Sequence, residues 1–354
     1  MEQQQRRHRI LVVGNGIAGA VLSITLRQAG VEVWCTNDTP RPSASRLAAG
    51  IINPVTGKRY AKSWNFDLFY PFSKHFFTHL EEMSGLKLWY EYPLIRLLGS
   101  PLEVNEWQLR AARPEFEGLM EISEDACGWA PYLPEGYTYG KLNKAGRVDF
   151  GKVIQYHIQT ARQEGRIWEM PVSQAGIPDL TARFDRIIFC EGYSAAGNEW
   201  FEHIPWQAAR GERLLIKPAV PLPADVMVKK QITVVPYPDG MYWCGANYYW
   251  DFDEYTPSPN SQKQLETDLA EVFNGQVAFD IHAVEGAIRP VVKDRRPVIG
   301  WSHRAEGIIG IFNGMGSKGA LMTPWWADHF TRHIIEGQPI DSEVDVQRFP
   351  VPHR

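Results

Sequence analysis

The sequence of 354 residues has few cysteines and no closely spaced pair of them. Cys35, Cys127, Cys190 and Cys244 lie far apart, and no CxxC pattern occurs. Oxidised secreted domains usually carry closer, paired cysteines. We therefore expect reduced, buried thiols and a cytoplasmic protein.

Long apolar runs are also lacking. No window approaches the roughly 20 apolar residues that span a bilayer, and the run 10–13 is too short for the apolar part of a signal peptide. The net charge of −4 reflects no basic excess, so neither nucleic acid nor an anionic membrane surface is an expected partner. Small-molecule chemistry is favoured.

Two classes of enzyme lack support in the sequence. The ten histidines show no metal-ligand spacing with one another or with the cysteines. No GxSxG nucleophile motif occurs. The sequence thus predicts no metal site and gives no support for a hydrolase.

A glycine-rich turn follows the first apolar run. The run 9–13 is β-branched and nearly all apolar, as in a strand buried on both faces, and the apolar pattern of 17–29 predicts a helix before a second strand at 31–34. Between strand and helix stand Gly14, Gly16 and Gly19. In a βαβ unit these glycines allow a tight turn, close approach of a pyrophosphate and packing of the helix on the strand.

This unit predicts a dinucleotide site. The first helical residues, Ile17 and Ala18, would present unpaired N–H groups to the phosphates. The acidic residue expected about 20 residues further on, where it would bind the ribose, is replaced by Asn37, with Asp38 beside it. Either side chain can serve. The motif alone does not choose between NAD and FAD.

A second segment, 42–54, has no role in a nicotinamide fold. Its small residues include Ala49 and Gly50, which would let the backbone pass close to a flat ring. Ser45 and Arg46 can bind phosphate or ribose oxygens. A plain surface loop is the alternative, and the apolar residues 47–52 weaken it.

Nearly the whole chain resembles the D-amino-acid oxidase family of FAD-dependent oxidoreductases, which includes glycine and sarcosine oxidases. The order and spacing of several short motifs carry the resemblance. They are the glycine turn, SRLAAG at 45–50, GRVD at 146–149, the run 184–192 that ends in Gly192, RGE at 210–212, GANYYWD at 245–251, GAIRP at 286–290, DRRP at 294–297 and NGMGSKG at 313–319.

The resemblance implies noncovalent FAD as the cofactor. The first glycine turn would bind the diphosphate. A second turn, which precedes a helical run from 320, would place backbone N–H groups at the pyrimidine edge of the flavin, where reduction gathers negative charge. The residues of that second turn are Gly314, Met315, Gly316, Ser317, Lys318 and Gly319.

The implied fold is α/β. A Rossmann-like FAD-binding domain with a mostly parallel sheet would comprise residues 1–80, 146–205 and 285–354. It would be interleaved with an α+β substrate domain built on an antiparallel sheet, residues 81–145 and 206–284. Aromatic, strand-like stretches at 86–98, 213–217 and 241–249 predict that second sheet.

The implied activity is oxidation of the C–N bond of a small amino acid or secondary amine by hydride transfer to flavin, followed by hydrolysis of the imine. Arg289 would bind a substrate carboxylate. Lys318 would lie at the flavin or near dioxygen, and Tyr249 would line the substrate side. Dioxygen or another carrier would reoxidise the flavin. Two alternatives stay open: oxidation of a modified tRNA nucleoside, or a flavin-binding subunit that needs a partner.

Overall fold

A computed structural model describes residues 8–36, 43–57, 59–170, 172–250 and 257–351. Its strands form two large sheets and two small ones. No helix in these ranges is long and apolar enough to cross a membrane.

The first large sheet has six strands in the order β11-β2-β1-β12-β19-β18. Its pairings are parallel except for that between β18 and β19. This arrangement confirms the predicted α/β class. The strands are β1 Arg9–Val13, β2 Glu32–Thr36, β11 Ile167–Trp168, β12 Arg186–Phe189, β18 Val298–Trp301 and β19 Ile309–Asn313.

The first βαβ unit forms as predicted. Helix α1, Ile17–Gln28, begins directly after the glycine turn and buries most of its residues, since it lies between the sheet and other helices. The final helix, α8 (Gly319–Glu336), follows β19 in the same way. Helix α5 spans Phe150–Gln163. The residue before it, Asp149, caps its N-terminus by accepting a hydrogen bond from the backbone N–H of Lys152.

The second large sheet has eight strands in the order β17-β13-β16-β15-β14-β7-β9-β8. It is antiparallel, as predicted, apart from the parallel pair β7 and β14. The strands are β7 Leu94–Leu98, β8 Met120–Ser123, β9 Thr138–Leu142, β13 Ala209–Pro218, β14 Met227–Lys229, β15 Thr233–Pro236, β16 Tyr242–Gly245 and β17 Phe279–Arg289.

Smaller elements connect the two sheets. A three-stranded sheet has the order β3-β10-β6, and β4 pairs with β5. Their bounds are β3 Ile51–Ile52, β4 Val55–Thr56, β5 Ala61–Lys62, β6 Trp89–Glu91 and β10 Gly146–Val148. The remaining helices are α2 Ala44–Leu47, α3 Phe66–Ser84, α4 Pro101–Ala111, α6 Ile177–Arg183 and α7 Pro259–Phe273.

One face of the eight-stranded sheet packs toward the 45–50 segment; we call it the inner face. The indole of Trp243 donates a hydrogen bond to the carbonyl of Leu47 at 2.8 Å, and the hydroxyl of Tyr237 donates to the carbonyl of Ala48 at 3.3 Å. Val235 and Met227 belong to the same buried cluster as helices α1 and α8. The opposite face packs against α7. The predicted domain boundaries stay a prediction; β17 runs across position 285.

Candidate functional site

The first glycine turn leaves no room for side chains. Gly14 has φ +109°, and a Cβ there would lie 2.5 Å from the carbonyl oxygen of Cys190. A Cβ on Gly19 would lie 1.9 Å from the carbonyl oxygen of Gly14. Real Cβ atoms do not approach backbone oxygens so closely, so the chain can bend here only with glycine at both positions.

The N-terminus of α1 meets the 45–50 segment. The Oγ of Ser45 accepts a hydrogen bond from the backbone N–H of Ile17 at 3.0 Å. A Cβ on Gly16 would lie 3.1 Å from that same Oγ. Ile17 and Ala18 are buried. The first turn of the helix and Ser45, which the sequence placed in separate motifs, therefore form one polar cradle.

The rest of the 45–50 segment bends around β10. Gly50 has φ +69°, and a Cβ there would lie 2.0 Å from the carbonyl oxygen of Val148. Ala49 is buried, whereas Arg46 lies on the exposed side. Asn37 and Asp38, the candidate ribose-binding residues, lie outside the described residues.

A buried polar chain supports the first turn from behind. The side chain of Asn15 donates to the carbonyl of Thr36 at 2.5 Å and lies 3.2 Å from the Nε2 of His157. The other ring nitrogen of His157 lies 3.0 Å from Arg27. Because an arginine only donates, the imidazole Nδ1 accepts and Nε2 donates to Asn15. Burial, with a smaller effect of Arg27, lowers the pKa of His157 to about 3.

The second glycine turn is held by Asn313. Its side-chain nitrogen donates to the carbonyl of Gly192 at 2.8 Å, and its oxygen accepts from the backbone of Gly314 at 2.9 Å. Gly192, Gly314 and Gly316 have φ of +60°, +78° and +55°. Asn313 is buried. Through these two hydrogen bonds it links the end of β19 to the residues that follow β12.

The two turns meet. A Cβ on Gly319 would lie 3.2 Å from the Cγ2 of Ile17, so the N-terminal turns of α1 and α8 are in direct contact. Met315 is buried and Ser317 is exposed. Burial lowers the pKa of Lys318, and the nearby cations Arg296 and Arg295 lower it further. This lysine is partly buried and is therefore not a freely solvated side chain.

These features fit FAD. Two helix N-termini converge, and each is reached through a turn whose glycine positions have no space for a Cβ or adopt a positive φ. A helix N-terminus attracts phosphate or another anion through its unpaired N–H groups and its dipole. Residues 14–19 with Ser45 would hold the diphosphate, and residues 314–319 would lie beside the flavin ring.

Arg289 lies on the inner face at the end of β17. Its guanidinium carbon is 4.3 Å from the ring centroid of Tyr248, and a Cβ on Gly211 would lie 2.2 Å from either terminal nitrogen. The Nη1 is buried with no hydrogen-bond partner among the described residues. Such a group costs free energy unless a ligand satisfies it. Gly211 was not among the predicted site residues, and the RGE motif was the available signal for it. Tyr248 belongs to the aromatic run that was expected to line the substrate side.

Tyr249 contacts a different arginine, Arg210. Its backbone N–H and carbonyl both pair with Arg210 at 2.9 Å, and its ring centroid is 5.3 Å from the guanidinium of Arg210. Arg210 also lies 3.0 Å from Glu212, whose other oxygen accepts from Asn247. The structure thus brings Tyr248, rather than Tyr249, to Arg289.

No group of three or more histidine, cysteine or acidic side chains within the described ranges is arranged to hold a metal ion. The described cysteines are unpaired, and Cys35, Cys190 and Cys244 are buried.

Comparisons with known proteins identify the family and the fold. A family model described as DAO, FAD dependent oxidoreductase, matches residues 9–333. Glycine oxidase from Bacillus cereus superposes with a TM-score of 0.76 at 15% identity, over 94% of this chain and 96% of that one. Iminodiacetate oxidase from Chelativorans superposes with a TM-score of 0.74 at 18% identity, over 96% and 98% of the two chains.

Curated relatives include a larger protein. The tRNA 5-methylaminomethyl-2-thiouridine biosynthesis bifunctional protein MnmC of Caulobacter vibrioides is 24% identical over 94% of this chain. The match covers 55% of that relative and 58% of its counterpart in Aromatoleum aromaticum. The chain thus spans little more than half the length of the curated relatives it matches.

Proposed function

We propose that this protein oxidises the C–N bond of a small amino acid or secondary amine that bears a carboxylate. The chain belongs to the DAO family of FAD-dependent oxidoreductases, and the proposal starts from that membership. The observation that carries the proposal is the buried Nη1 of Arg289, which has no hydrogen-bond partner among the described residues and lies on the inner face, the face that packs toward the 45–50 segment. Bound FAD would supply the acceptor for the hydride that leaves the substrate carbon, and water would then hydrolyse the resulting imine.

Arg289 would bind and orient the substrate. A guanidinium presents two parallel N–H donors to a carboxylate, which fixes both the distance and the direction of the attached carbon. Gly211 lets the guanidinium lie flat against β13, and Tyr248 covers its other side. Orientation of this kind is a large part of catalysis when a cofactor supplies the reactive atom.

Lys318 would act on the flavin side. Its position at the start of α8 places it in the second turn, and its lowered pKa reflects burial beside two other cations. We propose that this cation lies near the flavin or near the electron acceptor, either dioxygen or another carrier.

The test is an amine panel. Glycine, sarcosine, proline and D-amino acids, together with methylamine and benzylamine as amines that lack a carboxylate, are each mixed with the FAD-loaded protein. Turnover is compared between the wild type and Arg289→Met. Charge-assisted hydrogen bonds contribute about 1.5–3 kcal/mol, so the variant should lose about 10- to 100-fold in kcat/KM. A wild-type enzyme that prefers amines without a carboxylate would contradict the proposal.

A second candidate is a modified nucleoside of tRNA. The curated relatives that match most of this chain support it. So do two exposed aromatic side chains, Tyr248 beside Arg289 and Trp250 two residues further on, which are 51% and 54% exposed. Exposed aromatic rings are surfaces on which bases stack. Binding of tRNA that weakens steeply with salt would support this candidate, and weak, salt-insensitive binding would contradict it.

A further inference from the structure

A row of polar side chains crosses the inner face of the eight-stranded sheet. Residues directly paired between neighbouring strands point to the same face. The register pairs Arg96 with Lys229, Lys229 with Thr233, Thr233 with Gly245, Gly245 with Arg213, and Arg213 with Glu285. Trp243, two residues before Gly245, donates a hydrogen bond to Leu47 in the 45–50 segment, which identifies this as the inner face.

Arg289 belongs to the same face. It follows Glu285 by four residues on β17, and side chains alternate between faces along a strand. Its guanidinium lies over Gly211 on β13, and the ammonium of Lys229 donates to the Oγ1 of Thr233 on β15 at 3.1 Å. Gly211 and Thr233 are separated by two strand spacings across the sheet and by the rise of two residues along it. The guanidinium of Arg289 and the ammonium of Lys229 are therefore roughly 12 Å apart.

The two ends of the row differ in their charge balance. Arg213 donates to Glu285 at 3.1 Å and is thereby neutralised. Lys229 and Arg96 are neighbours of like charge, and neither lies within 4.0 Å of a carboxylate in the part of the chain that the structure describes. The guanidinium of Arg96 lies 5.1 Å from the ring centroid of Tyr60. Both cations are partly buried, and burial lowers the pKa of Lys229 to about 8.

Two adjacent cations without an acidic partner repel each other, and their repulsion is relieved when an anion lies between them. We propose that Lys229 and Arg96 form a second anion-binding site on the inner face, and that the substrate is an amine with a distal carboxylate or phosphate in addition to the carboxylate at Arg289. This inference rests on the proposed function, because it takes Arg289 as the first carboxylate site.

The spacing predicts the size of the substrate. Each cation holds its anion at hydrogen-bond distance, which leaves room between the two acidic groups for a chain of roughly three or four methylene groups. Glutarate and adipate have this length and carry no amine to oxidise. They are therefore suitable probes, with pentanoate and hexanoate as monocarboxylate counterparts of equal carbon number.

The experiment measures the dissociation constants of these four acids with the FAD-loaded protein, from the change that each causes in the flavin absorption spectrum. In the wild type, we expect a dicarboxylate to bind at least ten-fold more tightly than its monocarboxylate counterpart. Lys229→Met should reduce that ratio to below three while leaving monocarboxylate affinity unchanged, and Lys229→Arg should retain most of it. Arg289→Met should weaken both kinds of acid.

Lys230→Met is the matched control, because the next residue points to the other face and pairs with Glu271 at 3.2 Å. It should keep the wild-type ratio, and equal FAD content and melting temperature would show that both variants fold. A further probe, 4-phosphonobutyrate, has a phosphonate in place of one carboxylate of glutarate. If it binds more tightly than glutarate, the second site prefers a phosphate; if glutarate binds more tightly, the second site prefers a carboxylate.

The outcomes separate this inference from the proposed function. Monocarboxylate binding without any preference for dicarboxylates would overturn the second site alone, as would a ten-fold preference that survives in Lys229→Met. A protein that binds no carboxylate and oxidises no carboxylate-bearing amine would overturn the proposed function and this inference with it.

Discussion

A Cβ atom on Gly211 would lie 2.2 Å from the terminal nitrogens of Arg289, so the guanidinium occupies the space that a side chain at position 211 would fill. We predict that Gly211→Ala displaces Arg289 and raises KM for a carboxylate-bearing amine by about ten-fold, since the charge-assisted hydrogen bonds lose their alignment. Steady-state kinetics measure this effect.

Gly197→Ala is the control for Gly211, because it is a glycine with an ordinary φ and with nothing within 4 Å of the position of its Cβ. Its KM should match that of the wild type. Equal KM values for the Gly211 variant and the wild type would show that the guanidinium does not need this space to bind substrate.

Gly19→Ala should abolish FAD binding. The added Cβ would lie 1.9 Å from the carbonyl oxygen of Gly14, so the first glycine turn, the proposed diphosphate site, must open. Gly151→Ala, also in the first turn of a helix, places its Cβ at an ordinary 3.4 Å from the carboxylate of Asp149 and should be neutral or stabilising by up to about 1 kcal/mol. Flavin content after purification and the dissociation constant of added FAD test both variants; normal FAD affinity in Gly19→Ala would contradict the assignment of the turn.

Much of this nucleotide site could be predicted from sequence because its chemistry is local. The strand at 9–13, the glycine turn and helix α1 are each specified by consecutive residues, and the structure has them at the predicted positions. Ser45 and Gly319 were predicted in separate motifs. Their contacts with Ile17 could not be predicted, because local sequence patterns do not show which turns lie next to each other in the folded chain.

The substrate side was less predictable. Tyr248 and Tyr249 are adjacent in one aromatic run, yet Tyr248 contacts Arg289 and Tyr249 contacts Arg210. This difference depends on how the chain leaves β16 beside β13, which the sequence pattern does not show. Lys229 and Arg96 are more than a hundred residues apart and become neighbours through the parallel pairing of β14 with β7. Pairings of this kind depend on long-range packing that no short pattern records.

Asn313→Ala should alter the flavin environment. The side chain of Asn313 forms hydrogen bonds with Gly192 and Gly314, so its loss frees the second turn, which we propose lies beside the flavin. We expect weaker FAD binding, by about 5- to 10-fold for a neutral hydrogen bond of roughly 1 kcal/mol, together with a shifted flavin absorption maximum. Asn143→Ala, at an exposed amide that bonds to Glu121, should change neither. An unaltered spectrum in the Asn313 variant would remove this residue from the cofactor site.

His157 should make stability depend on pH. Its pKa is about 3 in the folded protein, against 6.5 for an unperturbed histidine, so the unfolded chain binds an extra proton between these values. Stability therefore falls as the pH falls from about 6.5 toward 3, by about 2 kcal/mol at pH 5 from this group. Denaturant unfolding at pH 5 and pH 7, with FAD saturating, should show a smaller difference in His157→Gln than in the wild type. The exposed His282→Gln should retain the wild-type difference.

The central claim is that bound FAD oxidises a carboxylate-bearing amine that Arg289 holds. The most direct measurement is the absorption spectrum of the FAD-loaded protein while amines are added without oxygen. We predict that the oxidised-flavin band bleaches with a carboxylate-bearing amine, and that Arg289→Met needs about 10- to 100-fold more of it. Bleaching only by amines that lack a carboxylate, or equal bleaching of the variant and the wild type, would contradict this role of Arg289.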